Sequence, residues 1–184
     1  MSKTSTPTRI LLIGYRGTGK TTVAAVLAAK TGWPWIDTDS QIVSSAGCSI
    51  RELFDREGEE GFRQRETDIL QNILAGDCPI IACGGGIVLR KENRQLLADG
   101  GKIVLLRASA ETIYQRLQGD PQSFTLRPPL TALEQEAEIR EILRQREVLY
   151  ADCAALTVDT ENKTAEKVAE EILAHLSIDT QGKT

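Results

Sequence analysis

Histidine is nearly missing from this sequence of 184 residues, and no apolar run approaches the length of a membrane span. The one histidine, His175, lies near the end of the last helical pattern, where a structural or solvent-facing role suits it. Without a second histidine, His-rich metal sites are excluded, and a Ser-His-Asp triad would depend on that peripheral residue. Cys48, Cys78, Cys83 and Cys153 lack CxxC spacing and stand in mostly apolar surroundings. They read as reduced core residues, not as a disulfide or zinc framework. Positive charge is not in excess: 22 Lys and Arg against 26 Asp and Glu give a net charge of −4. That balance argues against a general binder of nucleic acid or of anionic membranes, while leaving room for a local basic cleft. Residues 1–8 are rich in Ser and Thr and carry no hydrophobic signal-peptide core, so they are expected to be a disordered tail of a soluble, cytoplasmic protein. Internal repeats and low-complexity linkers are also lacking, and the length suits a single domain.

Short apolar runs alternate with helical patterns. Strands are expected over 9–13, 35–37, 80–83, 102–106 and 156–158. The first, third and fourth are almost continuously apolar, as strands covered on both faces are. Helices are expected over 20–31, 40–46, 50–56, 59–74, 91–98, 110–117, 132–150 and 165–176. Ser49 with Glu52, and Thr131 with Glu134, have capping-box spacing. The alternation implies an α/β fold with a parallel sheet between helical layers. Two stretches exceed that minimum. Residues 38–76 insert successive helices, and residues 118–131 form a Pro-containing loop. Ligands of such sheets sit at the C-terminal ends of the strands, so the first stretch suits an acceptor-binding region and the second a lid.

Gly14 to Thr21 reads Gly-Tyr-Arg-Gly-Thr-Gly-Lys-Thr, a complete phosphate-binding loop between a strand-like run and a helical pattern. The glycines let backbone N–H groups approach phosphate oxygens, and the helix N-terminus adds partial positive charge. Lys20 supplies a cation for the β- and γ-phosphates, and the Thr21 hydroxyl can ligate Mg²⁺. The segment Gly17, Thr18, Gly19, Lys20, Thr21 and Thr22 is therefore the expected nucleoside triphosphate site.

Asp37-Thr38-Asp39 ends the second strand on the same sheet edge. One carboxylate can cap the next helix; alternatively Asp37 holds Mg²⁺ through water and Asp39 takes a hydroxyl proton or fixes a polyol. Gly84-Gly85-Gly86 follows the third strand, either as a flexible turn or because a ligand approaches the backbone too closely for a Cβ. Arg63 has carboxylates at i−4 and i+3, and Arg140, Arg144 and Arg146 lie in a similarly charged helix. Surface ion pairs are the default for all four, and spacing alone does not say which faces a site. Arg127, before Pro128-Pro129, has no obvious partner and suits the developing charge of phosphoryl transfer.

Taken in order, the phosphate loop, Asp37-Thr38-Asp39, the run from Phe54 to Arg63, Gly84-Gly85-Gly86, Arg127-Pro128 and the stretch Arg146 to Tyr150 resemble the signatures of shikimate kinases. The resemblance spans residues 9–176. It implies a P-loop kinase domain of three αβα layers, related to nucleoside monophosphate kinases, with five parallel strands in the order 2-3-1-4-5. It also implies Mg²⁺-dependent transfer of the ATP γ-phosphoryl group to the 3-hydroxyl of shikimate, by an enzyme expected to be monomeric. By the same resemblance Lys20, Asp39 and Arg127 are catalytic. Asp39, Arg63 and Arg146 hold shikimate together with Gly84, Gly85 and Gly86. Arg116 and Arg127 contact ATP, while Thr21 and Asp37 hold the metal. The sequence departs from the family pattern in its second lid proline, Pro129, and in residues 159–164, which lack the usual proline. A gluconate kinase of the same fold and a non-catalytic binding module are the rival readings.

Overall fold

The computed structural model describes residues 9–119 and 132–178. The expected tail 1–8, most of the loop 118–131 with Arg127 and the Thr131 cap, and residues 179–184 lie outside them. Five strands form one parallel sheet: β1 (Ile10–Ile13), β2 (Trp35–Asp37), β3 (Ile80–Ala82), β4 (Lys102–Arg107) and β5 (Leu156–Asp159), in the order β2-β3-β1-β4-β5. That is the expected order. The central strand β1 pairs with β3 through Ile10↔Ile80 and with β4 through Ile10↔Lys102.

Both faces of β1 are buried, and its side chains alternate between them. Ile10 and Leu12 enter a core with Val23, Leu27, Val168 and Ile172, which come from α1 (Lys20–Thr31) and α7 (Ala165–His175). Leu11 and Ile13 enter the opposite core with Leu70, Leu97 and Tyr150, from α3 (Ile50–Ala75), α4 (Lys91–Gly100) and α6 (Ala132–Cys153). Two faces each needing apolar cover explain why β1 reads as an uninterrupted apolar run. Ile178 also packs on the first core, so the packed chain runs to the end of the described residues.

Of the two remaining helices, α5 (Ala110–Gln118) shares a small core with α6 through Ile113, Leu117 and Ile139, while α2 (Thr38–Ala46) packs on α3. The two helices expected over 50–74 are continuous in α3 except at Gly58, whose φ of 69° and ψ of −177° break the helix. Ser49 and Glu52 close the expected capping box at its start. Across the break, Phe54 and Phe62 stack with centroids 4.5 Å apart over Ile42 and Leu53. This satellite core fixes α2 and α3 at the C-terminal edge of the sheet. Helix α2 starts two residues earlier than the pattern suggested, because Asp37 and not a later residue caps it. Among the described residues no helix is long and apolar enough to cross a membrane.

Candidate active site

Between β1 and α1 the chain turns at Gly14, Gly17 and Gly19, with φ of 139°, 79° and 92°. At Gly14 a Cβ would lie 2.4 Å from the Leu106 carbonyl, so the loop wraps too closely against β4 to carry a side chain there. The N-cap of α1 is Gly19, with no side-chain cap, which leaves the helix's first N–H groups directed at whatever occupies the loop. Thr18 stiffens the turn by donating to the Tyr15 carbonyl at 2.7 Å. The buried Lys20 ammonium folds back to the Gly14 and Tyr15 carbonyls at 2.8 and 2.9 Å. Burial pushes its pKa down, opposed by the charge of Asp39 and more weakly of Asp37.

Asp37 has two tasks at once. One oxygen caps α2 by accepting from the Ser40 N–H at 3.1 Å, and the other accepts from the Thr21 hydroxyl at 2.7 Å. The capping and site alternatives are therefore compatible. Asp39, in the first turn of α2, is half-buried and its carboxyl is raised to about 6. Burial is the main cause and Asp37 adds to it, while Lys20 and, more weakly, Arg63 oppose it.

The three glycines after β3 each make room for a different group. A Cβ on Gly84 would lie 2.4 Å from Asp39 Oδ1 and 3.1 Å from Glu66 Oε1. One on Gly85 would lie 3.1 Å from the Arg16 nitrogen, and one on Gly86 would lie 2.1 Å from Arg63 Nη1. The protein's own carboxylates and guanidinium thus account for Gly84 and Gly86 without a ligand, and Gly85 lies close against the backbone of the phosphate loop. The segment is held to α2 by the Gly84 N–H, which donates to Thr38 Oγ1 at 2.8 Å. Arg90 anchors it to α3 by donating to Gln64 at 2.8 Å.

The four arginines that spacing left equivalent are separated by the fold. Arg140 and Arg144 are exposed and pair with Glu136 and Glu141 on their own helix. Arg146 instead reaches the Gly85 carbonyl at 3.3 Å and lies 5.9 Å from the centre of the Tyr15 ring. Arg63 bonds to the buried Glu66 at 2.7 Å, and its Nε is buried without a partner. Arg116 donates to the Gly17 carbonyl at 3.3 Å and to Thr160 Oγ1 at 3.0 Å, joining the phosphate loop to the loop after β5.

Gly17, Thr18, Gly19, Lys20, Thr21, Thr22, Asp37, Asp39, Gly85 and Arg116 line one cleft of ≈ 580 Å³, within the ordinary range for a small-molecule site. Gly84, Gly86, Arg63 and Arg146 adjoin its Asp39 end through the contacts just given. Arg127 lies outside the described residues. Two neighbours, Glu66 and Tyr150, were given no role in the site from sequence. Glu66, the i+3 partner of Arg63, carried a usable signal in that spacing. Tyr150 follows Arg146 by one helical turn, and its hydroxyl donates to the same Gly85 carbonyl.

The arrangement, a phosphate cradle opening toward a carboxylate flanked by guanidinium groups, suits transfer of a phosphoryl group to an alcohol. The family model described as shikimate kinase matches residues 16–177. Shikimate kinase of Thermodesulfovibrio yellowstonii is 40% identical over 95% of this chain and 98% of its own. That of Symbiobacterium thermophilum is 38% identical over 91% and 95%. The structure of the Acinetobacter baumannii shikimate kinase in complex with shikimate superposes with a TM-score of 0.85 at 33% identity, over 96% of this chain and 97% of that one. The chain belongs to the shikimate kinase family.

Proposed function

We infer that this protein transfers the γ-phosphoryl group of ATP to the 3-hydroxyl of shikimate, giving shikimate 3-phosphate and ADP in aromatic amino-acid (chorismate) biosynthesis. One observation carries the reading on this chain's own residues. The phosphate loop with Lys20 and the carboxylate of Asp39 share one cleft, and Asp39 is poised at about 6. A base with that acidity is largely ionised at neutral pH yet close enough to it to exchange a proton.

In this reading the triphosphate lies on the loop 17–22, with Lys20 against the β- and γ-oxygens. Asp39 holds the acceptor hydroxyls and takes the proton as the oxygen attacks. Arg63 and Arg146 grip the shikimate carboxylate, a planar anion that a guanidinium fork fits better than an ammonium. Gly85 supplies backbone beside the acceptor, and Gly84 and Gly86 keep Asp39 and Arg63 at their positions. Arg127, assigned by the resemblance alone, contacts the ATP phosphates from the lid 118–131.

Mg²⁺ belongs to the same proposal. The Thr21 hydroxyl and the Asp37 carboxylate, 2.7 Å apart beside the loop, are hard oxygen donors. A small set of that kind fits an ion that keeps several waters and takes further ligands from substrate phosphates. When bound, the ion would neutralise charge on the phosphate oxygens. The four free cysteines suit a reducing compartment, in keeping with a cytoplasmic enzyme. Among the described residues the exposed large apolar side chains, Val43, Leu133 and Val148, lie on α2 and at opposite ends of α6, which favours a monomer.

Steady-state assays with ATP against shikimate, gluconate and nucleoside monophosphates test the function. Turnover confined to shikimate is expected, and preferential turnover of gluconate would replace this reading with its rival.

A further inference from the structure

Helix α5 and the loop after β5 hold each other by two side chains that cross in opposite directions. From α5, Arg116 donates to the Thr160 hydroxyl at 3.0 Å and to the Thr160 carbonyl at 2.9 Å, besides its bond to Gly17. From the loop, the Glu161 carboxylate accepts from the Ser109 backbone N–H at 3.0 Å, from the Ser109 hydroxyl at 3.2 Å, and from the Thr112 hydroxyl. Ser109 is the N-cap of α5, so an anion is favoured there. These bonds, the Ser109 N–H first, hold the Glu161 carboxyl below its ordinary range. The turn itself is tight: Asn162 has φ of 52°, and Asp159 accepts from the Glu161 N–H at 2.7 Å.

Position in the cleft gives this clamp a consequence for binding. Phosphates belong over the α1 N-terminus, and the acceptor belongs at the Asp39 end. The base of the nucleotide is left with the opposite end, where Gly17, Arg116, Thr160 and Lys163 form the walls. Glu161 is not itself a wall residue. It fixes the segment carrying Thr160 and Lys163 against the helix carrying Arg116. No proline stiffens residues 159–164, so side-chain bonds set their shape.

We propose that Glu161 is a positioning residue for the nucleotide base, holding the wall of Thr160 and Lys163 at a set distance from Arg116. The proposal rests on the ATP reading of the cleft. Its test is kinetic, on the full-length protein. Glu161→Ala raises the KM for ATP about tenfold and leaves the KM for shikimate and kcat within about twofold. Thr112→Val, which loosens the clamp from the other side, moves the KM for ATP in the same direction. Glu161→Gln keeps an acceptor oxygen and recovers most of the affinity. Inorganic tripolyphosphate, which lacks a base, inhibits wild type and Glu161→Ala equally. An ATP KM within about twofold of wild type in both Glu161→Ala and Thr112→Val overturns the proposal, as does equal weakening of ATP and tripolyphosphate. A wild-type protein inert with ATP and shikimate would instead sink the functional reading beneath it.

Discussion

Arg63 and Glu66 form an ion pair inside the protein, with Nη1 and Oε2 2.7 Å apart and the side chains 12% and 1% exposed. Burial pushes the Glu66 carboxyl up, and the Arg63 guanidinium opposes that shift. A pair of this kind contributes little net stability against a well-packed apolar alternative, but losing one partner is costly. Its use here is placement: Glu66 holds Nη1 and sets the guanidinium beside Gly86.

Lysine at either carboxylate-directed position keeps the charge and loses the fork. Arg63→Lys and Arg146→Lys are each expected to raise the KM for shikimate at least about thirtyfold, the lower end of what a desolvated charge pair is worth. The KM for ATP stays near wild type. Initial-rate kinetics in both substrates checks this, and an unchanged shikimate KM in both variants would make these arginines structural.

Gly86→Ala tests the same placement without touching a charge. The new Cβ would lie 2.1 Å from Arg63 Nη1 and 2.7 Å from its Cζ, so the guanidinium must move. Because the clash falls on the end of a flexible side chain, the fold survives and the acceptor site is displaced. A raised KM for shikimate is expected, with thermal stability within about 1 kcal/mol of wild type. A wild-type KM would show that Arg63 has room to spare.

Asp39 links activity and stability to pH in opposite senses. Its carboxyl titrates near 6 in the folded protein, against an ordinary value of 3.8. As pH falls through about 6 the proton acceptor is lost, so kcat/KM falls in that range. Stability runs the other way. With the folded value raised, the neutral form is the one favoured by folding, and the burial penalty grows between about 4 and 6 and is full above that. Asp39→Asn is therefore expected to lower turnover roughly 10²–10⁴-fold while raising Tm at pH 8, with a smaller gain at pH 5. Thermal melts at the two pH values check the sign; an equal or reversed gain would contradict the buried-charge account.

The sequence made legible whatever depended on neighbours within a few residues. The alternation of Ile10 and Leu12 with Leu11 and Ile13, the capping box of Ser49 and Glu52, and the break at Gly58 all follow from local chemistry. So does the phosphate loop, which is local in sequence and in space. Contacts across the fold were not legible from spacing, and only the family resemblance singled out Arg146. That Arg146 and not Arg140 or Arg144 faces the site depends on how α6 rotates against β4, and its Gly85 partner is far away in the chain. The triple glycine marked the right place, but the physical reason lies in Asp39, Glu66 and Arg63 beside its outer members and the Arg16 backbone beside Gly85. Glu161 carried no sequence signal at all, since Ser109 and Thr112 meet it only after β4 and β5 pair.

Arg9 illustrates the same limit on the side of stability. Its guanidinium donates to the carbonyls of Cys78 at 3.0 Å, Leu74 at 3.2 Å, Gly100 at 3.3 Å and Gly76, tying the ends of α3 and α4 to the start of β1. Arg9→Ala leaves those carbonyls to water and is expected to cost about 2–3 kcal/mol, lowering Tm by about 5–10 °C. Kinetic constants stay unchanged, because the cluster lies at the sheet edge opposite the cleft. Differential scanning calorimetry checks the loss, and a shift under about 2 °C would mean the bonds are replaced without cost.

The position of the transferred phosphate tests the central claim most directly. Incubating the protein with ATP, Mg²⁺ and shikimate and following the product by ³¹P and ¹H NMR reports the acceptor oxygen and the amount of ADP together. The account predicts phosphate on the 3-hydroxyl alone, one ADP for each ester formed, and neither product at appreciable rate with Asp39→Asn. Phosphate on another hydroxyl, or ADP released without an ester, would contradict it.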